Sequence, residues 1–223
     1  MAMTWDQTRD RVHGYFDRTA TEAWAKLTSD AKVSRIRETV RAGRDEMRAL
    51  ILSRLPGDLT GTRVLDAGCG AGQTSAELAA RGAEVVGVDI SPALIGIARD
   101  RLPAAYRGQV TFAAGDMLAP DLGRFDHVVA MDSLIYYTAE DIAAAIGGLA
   151  ARTGGKIVFT VAPRTPFLMA FWAAGQVFPR SDRSPTMIPH SAERLARVLP
   201  GRLTRAGRIS RGFYISECLE VAP

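Results

Sequence analysis

The chain has 223 residues with 47% hydrophobic and 23% charged side chains, which excludes a disordered, collagenous or disulfide-stapled protein and fits one α/β domain. Its net charge of +4 comes almost entirely from scattered arginines, which argues against nucleic acid and favours an anionic substrate, an anionic membrane surface or an arginine-favouring genome. Because it has two cysteines, no signal segment and no apolar run of about 18 residues, we expect a cytoplasmic protein, soluble or peripheral on a membrane.

The N-terminal quarter of the chain predicts helices without any strand. Apolar residues recur at three- and four-residue spacing from Ala31 to Leu55, which indicates one long amphipathic helix, and residues 9–27 form a second helical stretch. These helices cannot complete a core alone. We therefore expect residues 1–57 to pack as a helical cap or lid on residues 58–223.

Downstream, short apolar runs alternate with helical patterns. The predicted strands are 63–66, 84–89, 110–113, 125–131 and 156–161, and the predicted helices are 74–81, 92–102 and 139–152. Two more strands, 203–209 and 213–221, form a closing hairpin around Arg211-Gly212. This alternation predicts a mostly parallel, doubly wound α/β sheet. Seven strands with an antiparallel one at the C-terminal end indicate the Rossmann-like fold of class I methyltransferases.

A glycine-rich loop, Asp66 to Gly72, follows the first strand. Its glycines let the backbone turn sharply and let a ligand approach closely. Gln73 stands where the dinucleotide fingerprint places its last glycine, and Asp66 would repel a pyrophosphate. An acid there instead favours the ammonium group of S-adenosylmethionine. The loop residues predicted to bind this cofactor are Asp66, Gly68, Cys69, Gly70 and Gly72.

The ends of the following strands add more acidic residues. Asp89, with Ile90 beside it, ends the second strand at the position where a carboxylate accepts from both ribose hydroxyls. Asp116 follows the third strand and is predicted to accept from the adenine amino group, with Met117 against the ring. Asp132 ends the fourth strand and faces the same crevice. Each residue alone also fits a turn cap or a core position, but together they favour S-adenosylmethionine over an NAD-type cofactor.

The acceptor side has no general base that the sequence singles out. A carboxylate acceptor is already ionised at neutral pH and needs none. The Asn-Pro-Pro-Tyr-like signature of amino-group methyltransferases is missing, and the fourth strand is followed instead by Asp132-Ser133-Leu134-Ile135-Tyr136-Tyr137. The sequence has no cluster of metal-ligating residues, so we expect no metal site of the protein's own.

Several segments resemble the magnesium protoporphyrin IX O-methyltransferases of chlorophyll and bacteriochlorophyll synthesis, over nearly the whole chain. The glycine loop is common to class I methyltransferases, whereas the others are more particular to this family. They are Tyr15-Phe16 with Trp24, the helix with residues 34–37 and 41–44, residues 132–137, and residues 159–166 continuing to Phe178-Pro179. The arginine-rich composition favours the bacteriochlorophyll branch.

The resemblance implies methyl transfer from S-adenosylmethionine to the ring-C propionate of magnesium protoporphyrin IX. It also implies contact with the large porphyrin-binding subunit of magnesium chelatase and loose association with photosynthetic membranes. It places Tyr15 near the active site as a catalytic candidate. Tyr136 is a second candidate, although plant and cyanobacterial members carry a histidine there, so whether Tyr136 replaces it stays open.

A porphyrin is an apolar plate with anionic propionates, so its site needs aromatic walls and a cation. We predict Phe16 and Tyr137 for the walls and Arg164 for a propionate, while core packing and solvent exposure are the ordinary alternatives. Two other functions stay open. A methyltransferase of quinones or phenols would share the cofactor residues without a porphyrin-sized pocket. A non-catalytic scaffold would be expected to have lost the motif, which is intact here.

Overall fold

The computed structural model describes residues 4–17, 21, 27–29, 34–177 and 185–222. The helices are α1 (Trp5–Tyr15), α2 (Arg35–Ser53), α3 (Gln73–Ala80), α4 (Pro92–Arg101), α5 (Ala139–Ala150), α6 (Pro166–Val177) and α7 (Ala192–Val198). The strands are β1 (Arg63–Ala67), β2 (Glu84–Asp89), β3 (Val110–Ala114), β4 (His127–Ala130), β5 (Ile157–Val161), β6 (Arg202–Arg211) and β7 (Tyr214–Ala222). Trp24, Phe178-Pro179 and parts of the helices predicted at 9–27 and 31–55 lie outside the described residues.

The strands form one seven-stranded sheet in the order β3-β2-β1-β4-β5-β7-β6. Strands β1 to β5 are mutually parallel, and β7 is antiparallel to both of its neighbours, β5 and β6. This confirms the predicted Rossmann-like methyltransferase fold. Because β1, β2, β3 and β4 run in the same direction, the residues that follow them meet at one edge of the sheet.

Two predicted boundaries differ in ways that matter for the site. Strand β4 is shorter than the predicted 125–131, because Phe125 makes only an isolated bridge to Thr153 and Asp132 turns the backbone away with a φ of 57°. Helix α3 begins at Gln73. Its N-cap residue is Gly72, which has a left-handed φ of 78°. A left-handed N-cap explains why a glycine is needed at this position.

The sheet is buried on both faces, and successive residues of its central strands alternate between the two. In β1, Val64 contributes to one apolar cluster and Leu65 to the other. Helix α5 supplies Ile142, Ile146 and Leu149 to the cluster of Leu65. Such period-two alternation between two fully apolar faces is expected for parallel strands covered by helices on both sides.

Helix α2 covers the second face of the sheet. Its residues Met47, Ile51 and Leu52 are buried in the same cluster as Val64. Earlier in the helix, Gly43 lies so close to β7 that a Cβ atom there would come within 2.6 Å of Tyr214 Cδ1. The C-terminal half of α2 is thus part of the sheet's core packing, and the division at residue 57 stays a prediction. None of the described helices combines the length and apolar character needed to cross a membrane.

Candidate active site

One cavity opens at the carboxyl ends of β1, β2, β3 and β4. Its open volume, including the solvent-filled mouth, is about 970 Å³. Most of the predicted site residues line it. These are Phe16, Asp66, Gly68, Cys69, Gly70, Asp89, Ile90, Asp116, Met117, Asp132, Tyr136 and Tyr137. The described lining does not include Gly72, Tyr15 or Arg164.

The glycine loop is held against β2 and packs tightly below the cavity. The amides of Gly68 and Cys69 both donate to the carbonyl oxygen of Val88, at 2.8 and 3.0 Å. A Cβ atom on Gly68 would lie 2.3 Å from Ser133 Cβ, which leaves no room for any other residue. At Gly72, a Cβ atom would lie 2.9 Å from Phe112 Cζ. Gly72 therefore allows α3 to pack on the sheet and takes no place on the cavity wall.

Asp66 is buried beneath the loop, with only 1% of its surface exposed. Its Oδ2 accepts a hydrogen bond of 2.6 Å from the hydroxyl of Ser75. The pKa of the Asp66 carboxyl is raised to about 7, chiefly by burial; the Ser75 hydrogen bond opposes the rise, and the charge of the neighbouring Asp89 contributes to it. A buried carboxyl that is poised to ionise suits a cationic ligand such as the ammonium group of S-adenosylmethionine.

Asp89 is fixed by backbone donors on both sides. Its Oδ2 accepts from the amide of Gly70 and its Oδ1 from the amide of Ser91, each at 2.9 Å. Burial raises the pKa of this carboxyl, and the two backbone hydrogen bonds oppose the rise. The carboxylate is therefore held rigidly at the end of β2, in the position predicted to accept from ribose hydroxyls.

Asp116 connects the cavity wall to the N-terminal helix. Its Oδ1 accepts from the amide of Leu118 at 2.8 Å, and its Oδ2 accepts from Arg9 Nη1 of α1 at 3.0 Å. Met117 is buried beside it. The predicted adenine contact thus lies next to an ion pair with α1 that the sequence did not indicate.

Asp132 lies in a hydrogen-bond network that the sequence did not indicate. Its carboxylate accepts hydrogen bonds from Arg44 of α2, from the hydroxyl of Tyr214 at 3.1 Å and from the hydroxyl of Thr160 at 3.1 Å. The exposed fraction of its side chain is 9%, and that of Arg44 is 14%. Asp132 lines the cavity, but its described hydrogen-bond partners all come from the protein's own helices and strands.

Aromatic residues form a further part of the cavity wall. The rings of Trp5 and Tyr137 are stacked with their centroids 4.1 Å apart, and the ring of Phe16 lies 6.3 Å from that of Tyr136. Tyr15 contacts Phe16 edge-on at 5.2 Å. Burial raises the pKa of both Tyr136 and Tyr137 above the usual phenol value, so both hydroxyls stay protonated at neutral pH. The thiol of Cys69 is likewise neutral, because burial raises its pKa.

Arg164 stands apart from this group. Its side chain is exposed, and its backbone amide donates to the carbonyl oxygen of His190 at 2.9 Å. The cavity lining also contains residues that the sequence did not indicate, among them Trp5, Arg9, Arg44 and Ser133. The neighbouring Gly43 was a sequence signal of close packing on this part of the helix, because glycine in a helix interior costs about 1 kcal/mol relative to alanine.

The donor set fits S-adenosylmethionine. Asp66 is a buried carboxyl that has no cationic hydrogen-bond partner among the described residues, Asp89 is a rigid carboxylate, and Gly68 adds no side chain to the loop between them. No group of three or more potential metal ligands occurs among the described residues.

Comparison with known proteins agrees with this geometry. A model of the magnesium-protoporphyrin IX methyltransferase C-terminus matches residues 130–223, and a general methyltransferase domain model matches residues 64–153. The magnesium-protoporphyrin O-methyltransferase of Rhodobacter capsulatus is 62% identical over 100% of both chains. The chain belongs to the magnesium-protoporphyrin O-methyltransferase family.

More distant members share the whole architecture. The magnesium-protoporphyrin O-methyltransferase of Synechocystis is 32% identical over 94% of both chains. A crystal structure of the Synechocystis enzyme with bound S-adenosylhomocysteine superposes with a TM-score of 0.81, at 31% identity, over 96% of this chain and 99% of that one. The chain is thus an S-adenosylmethionine-dependent methyltransferase, as predicted from the glycine loop and the strand-end acids.

Proposed function

We propose that this protein transfers a methyl group from S-adenosylmethionine to a propionate carboxylate of magnesium protoporphyrin IX and so forms the monomethyl ester. The observation that carries this proposal is a single cavity whose lining combines two kinds of residue. Acidic residues and the glycine loop suit the cofactor, and Trp5, Phe16, Tyr136 and Tyr137 suit an apolar, aromatic acceptor. The 62% identity to the Rhodobacter capsulatus enzyme over the whole chain supports the porphyrin as the acceptor.

Among the cofactor residues, each carboxyl group has a separate task. Asp66 binds the ammonium group, Asp89 accepts from the ribose hydroxyls, and Asp116 accepts from the adenine amino group beside Met117. The hydrogen bonds to Asp89 from Gly70 and Ser91 orient its carboxylate before the cofactor arrives. Such preorganisation lowers the entropic cost of binding.

Around the acceptor, the protein orients the substrate and excludes water. The bound cofactor supplies an electrophilic methyl group, which a carboxylate oxygen takes while the sulfonium leaves as a neutral thioether. No proton moves in this exchange, so the reaction needs no general base. The phenol groups of Tyr136 and Tyr137 stay protonated, so these residues act as hydrogen-bond donors or apolar walls. Tyr15 contacts the ring of Phe16 edge-on and so helps to hold it in place.

The test is incubation of the purified protein with S-adenosylmethionine and magnesium protoporphyrin IX, followed by chromatography of the porphyrins. We expect one new, less polar ester and an equal amount of S-adenosylhomocysteine. Cofactor binding without ester formation would overturn the porphyrin assignment and direct a screen toward quinone and phenol acceptors. A variant with Asp89→Asn is expected to bind the cofactor about 10- to 100-fold more weakly, because it loses a charge-assisted acceptor.

We also propose that the protein receives its substrate from the large subunit of magnesium chelatase. The support is the family membership together with the apolar character of the porphyrin, which favours transfer between proteins over release into water. Addition of that subunit loaded with magnesium protoporphyrin IX is expected to raise the methylation rate above that with the same concentration of free porphyrin. An equal rate in the two experiments would contradict this proposal.

Peripheral attachment to a membrane is proposed at one exposed patch. Ile36, near the start of α2, is 56% exposed, and Phe213, in the β6–β7 turn, is 60% exposed. The two residues belong to segments in contact, since a Cβ atom on Gly212 would lie 2.6 Å from Thr39 Oγ1. Flotation with vesicles that contain an anionic lipid is expected to recover the protein, and the double variant Ile36→Ser with Phe213→Ser is expected to stay unbound.

A further inference from the structure

The cavity presents an electrostatic problem for a carboxylate acceptor. Its wall carries the carboxyl groups of Asp66, Asp89, Asp116 and Asp132. The proposed acceptor brings a further carboxylate as the nucleophile. Like charges repel strongly where water is largely excluded. A cation close to the acceptor carboxylate therefore favours the binding of this acceptor.

Three arginines line the cavity among the described residues, and they occupy different parts of it. Arg9 pairs with Asp116 at the proposed adenine contact, and Arg48 pairs with Asp45 and Glu77. Arg44 lies near Tyr136, where its positive charge opposes the rise in the pKa of that phenol. Arg44 is therefore the arginine of this lining that lies between Asp132 and Tyr136.

Arg44 is held in place by a network that joins α2, β5 and β7 through Asp132 in the turn after β4. Its guanidinium binds Asp132, which also accepts from Tyr214 of β7 and from Thr160 of β5. The amide of Asp132 donates to Thr160 Oγ1 at 2.7 Å. Because Asp132 is fixed from three sides, it orients the guanidinium, whose planar fork of N–H donors matches a carboxylate.

Ser133 provides an independent sign of a ligand at this place. Its side-chain oxygen is buried on the cavity wall and has no hydrogen-bond partner in the described part of the chain. A buried hydroxyl without a partner costs free energy, and such a group at a binding site is satisfied when a ligand arrives.

We infer that Arg44 and Ser133 form the subsite that binds the acceptor carboxylate, with Asp132 as the positioning residue for Arg44. This inference rests on the proposed function, because it takes the carboxylate to be that of the acceptor. The guanidinium group of Arg44, oriented by Asp132, attracts the incoming carboxylate, and Ser133 donates a hydrogen bond to one of the carboxylate oxygens. The subsite lies beside Gly68.

The test uses two porphyrins that differ only in the carboxylates. Dissociation constants of magnesium protoporphyrin IX and of its dimethyl ester are measured by fluorescence titration, with S-adenosylhomocysteine at saturation. The parent protein is expected to bind the free acid about 10- to 100-fold more tightly than the diester. Arg44→Gln is expected to remove most of this preference, and Ser133→Ala to reduce it severalfold.

Arg37→Gln is the matched control. Arg37 lies two turns earlier on the same helix, is exposed, and carries the same charge. It is expected to keep the parent's preference for the free acid. If Arg44→Gln does not fold, Arg44→Lys retains a positive charge for Asp132 but loses the fork, and it is expected to show an intermediate preference.

Two results would overturn the inference. One is an unchanged preference for the free acid in the folded Arg44 variants. The other is a loss of S-adenosylhomocysteine affinity with the porphyrin preference intact, which would assign Arg44 to the carboxylate of the cofactor. Failure of the proposed function is a separate result, because the parent protein would then bind porphyrins without forming an ester.

Discussion

The hydroxyl group of Ser75 donates a hydrogen bond of 2.6 Å to the carboxylate of Asp66, and both side chains are almost fully buried. The hydrogen bond favours the ionised carboxylate, but the effect of burial is larger, and the pKa of Asp66 is raised to about 7. Asp66 is therefore partly protonated at neutral pH in the free protein, although it is the residue proposed to bind the ammonium group.

The affinity for S-adenosylhomocysteine is expected to rise about tenfold between pH 6 and pH 8, because only the ionised carboxylate attracts the ammonium group. The pH dependence of folding stability has the opposite sign, since a raised carboxyl pKa makes the free protein less stable as the pH rises from about 4 toward 7. Calorimetric titration measures the affinity. Ser75→Ala is expected to move the midpoint of the pH dependence of affinity to a higher pH. Asp66→Asn is expected to abolish this pH dependence. A pH dependence that persists in Asp66→Asn would assign it to another titrating group.

Gly43→Ala is expected to lower the free energy of unfolding by about 1–2 kcal/mol. The gain in helix propensity is about 0.5–1 kcal/mol, but the new methyl group would lie 2.6 Å from the ring of Tyr214, and overpacking costs about 1–3 kcal/mol. Gly96→Ala in α4 is the matched control, because a Cβ atom there meets nothing within 4 Å. It is expected to stabilise the protein by about 0.5–1 kcal/mol in urea unfolding. Equal effects of the two changes would contradict the close contact.

Gly72→Ala is expected to destabilise the protein by about 3 kcal/mol. The left-handed backbone costs about 1–2 kcal/mol for a residue with a Cβ atom, and the contacts with Phe112 and Ala98 add an overpacking cost. Gly61 has a similar φ of 75° with open space around it, so Gly61→Ala isolates the cost of the backbone alone. Thermal unfolding of the two variants measures the difference in their stability, and Gly61→Ala is expected to be the more stable of the two.

His190 is expected to make the protein acid-sensitive. Its ring is buried, its Nε2 hydrogen donates to the carbonyl oxygen of Tyr137 at 2.9 Å, and burial lowers its pKa. A lowered histidine pKa gives stability that is present above pH 6.5 and is lost as the pH falls through the folded value. His190→Gln is expected to be about 1–3 kcal/mol less stable at pH 7 and to lose less on acidification. Urea unfolding of both proteins at pH 5 and at pH 7 measures these free energies. An equal loss of stability on acidification in the two proteins would show that His190 is not the cause of the acid sensitivity.

The elements of the sheet could be predicted because their signals are local. Buried strands such as Glu84–Asp89 are continuous apolar runs, and Ser91 with Pro92 indicates the start of α4 before any tertiary contact is known. The strand-end acids could be grouped for a similar reason, since parallel strands bring their carboxyl ends to one edge. For Asp66, Asp89 and Asp116 this reasoning led to residues that line one cavity.

The partners of those acids could not be predicted in the same way. Arg44 and Asp132 are 88 residues apart and pair only because α2 covers the sheet beside β7. Arg164 has the right chemistry for a propionate, yet its side chain is exposed outside the cavity. A side chain's charge is visible in the sequence, whereas the element it faces is set by the packing of distant segments.

The sequence by itself determined the fold class, the glycine loop and the acidic residues of the cavity, because hydrophobic periodicity and glycine conformation act over a few neighbouring residues. Tertiary structure alone decided that Gly72 serves packing, that Asp132 holds Arg44, and that Ser133 reaches the cavity without a partner among the described residues. These outcomes depend on contacts between elements far apart in the chain, where burial and charge pairing are settled only after the sheet and its covering helices have assembled.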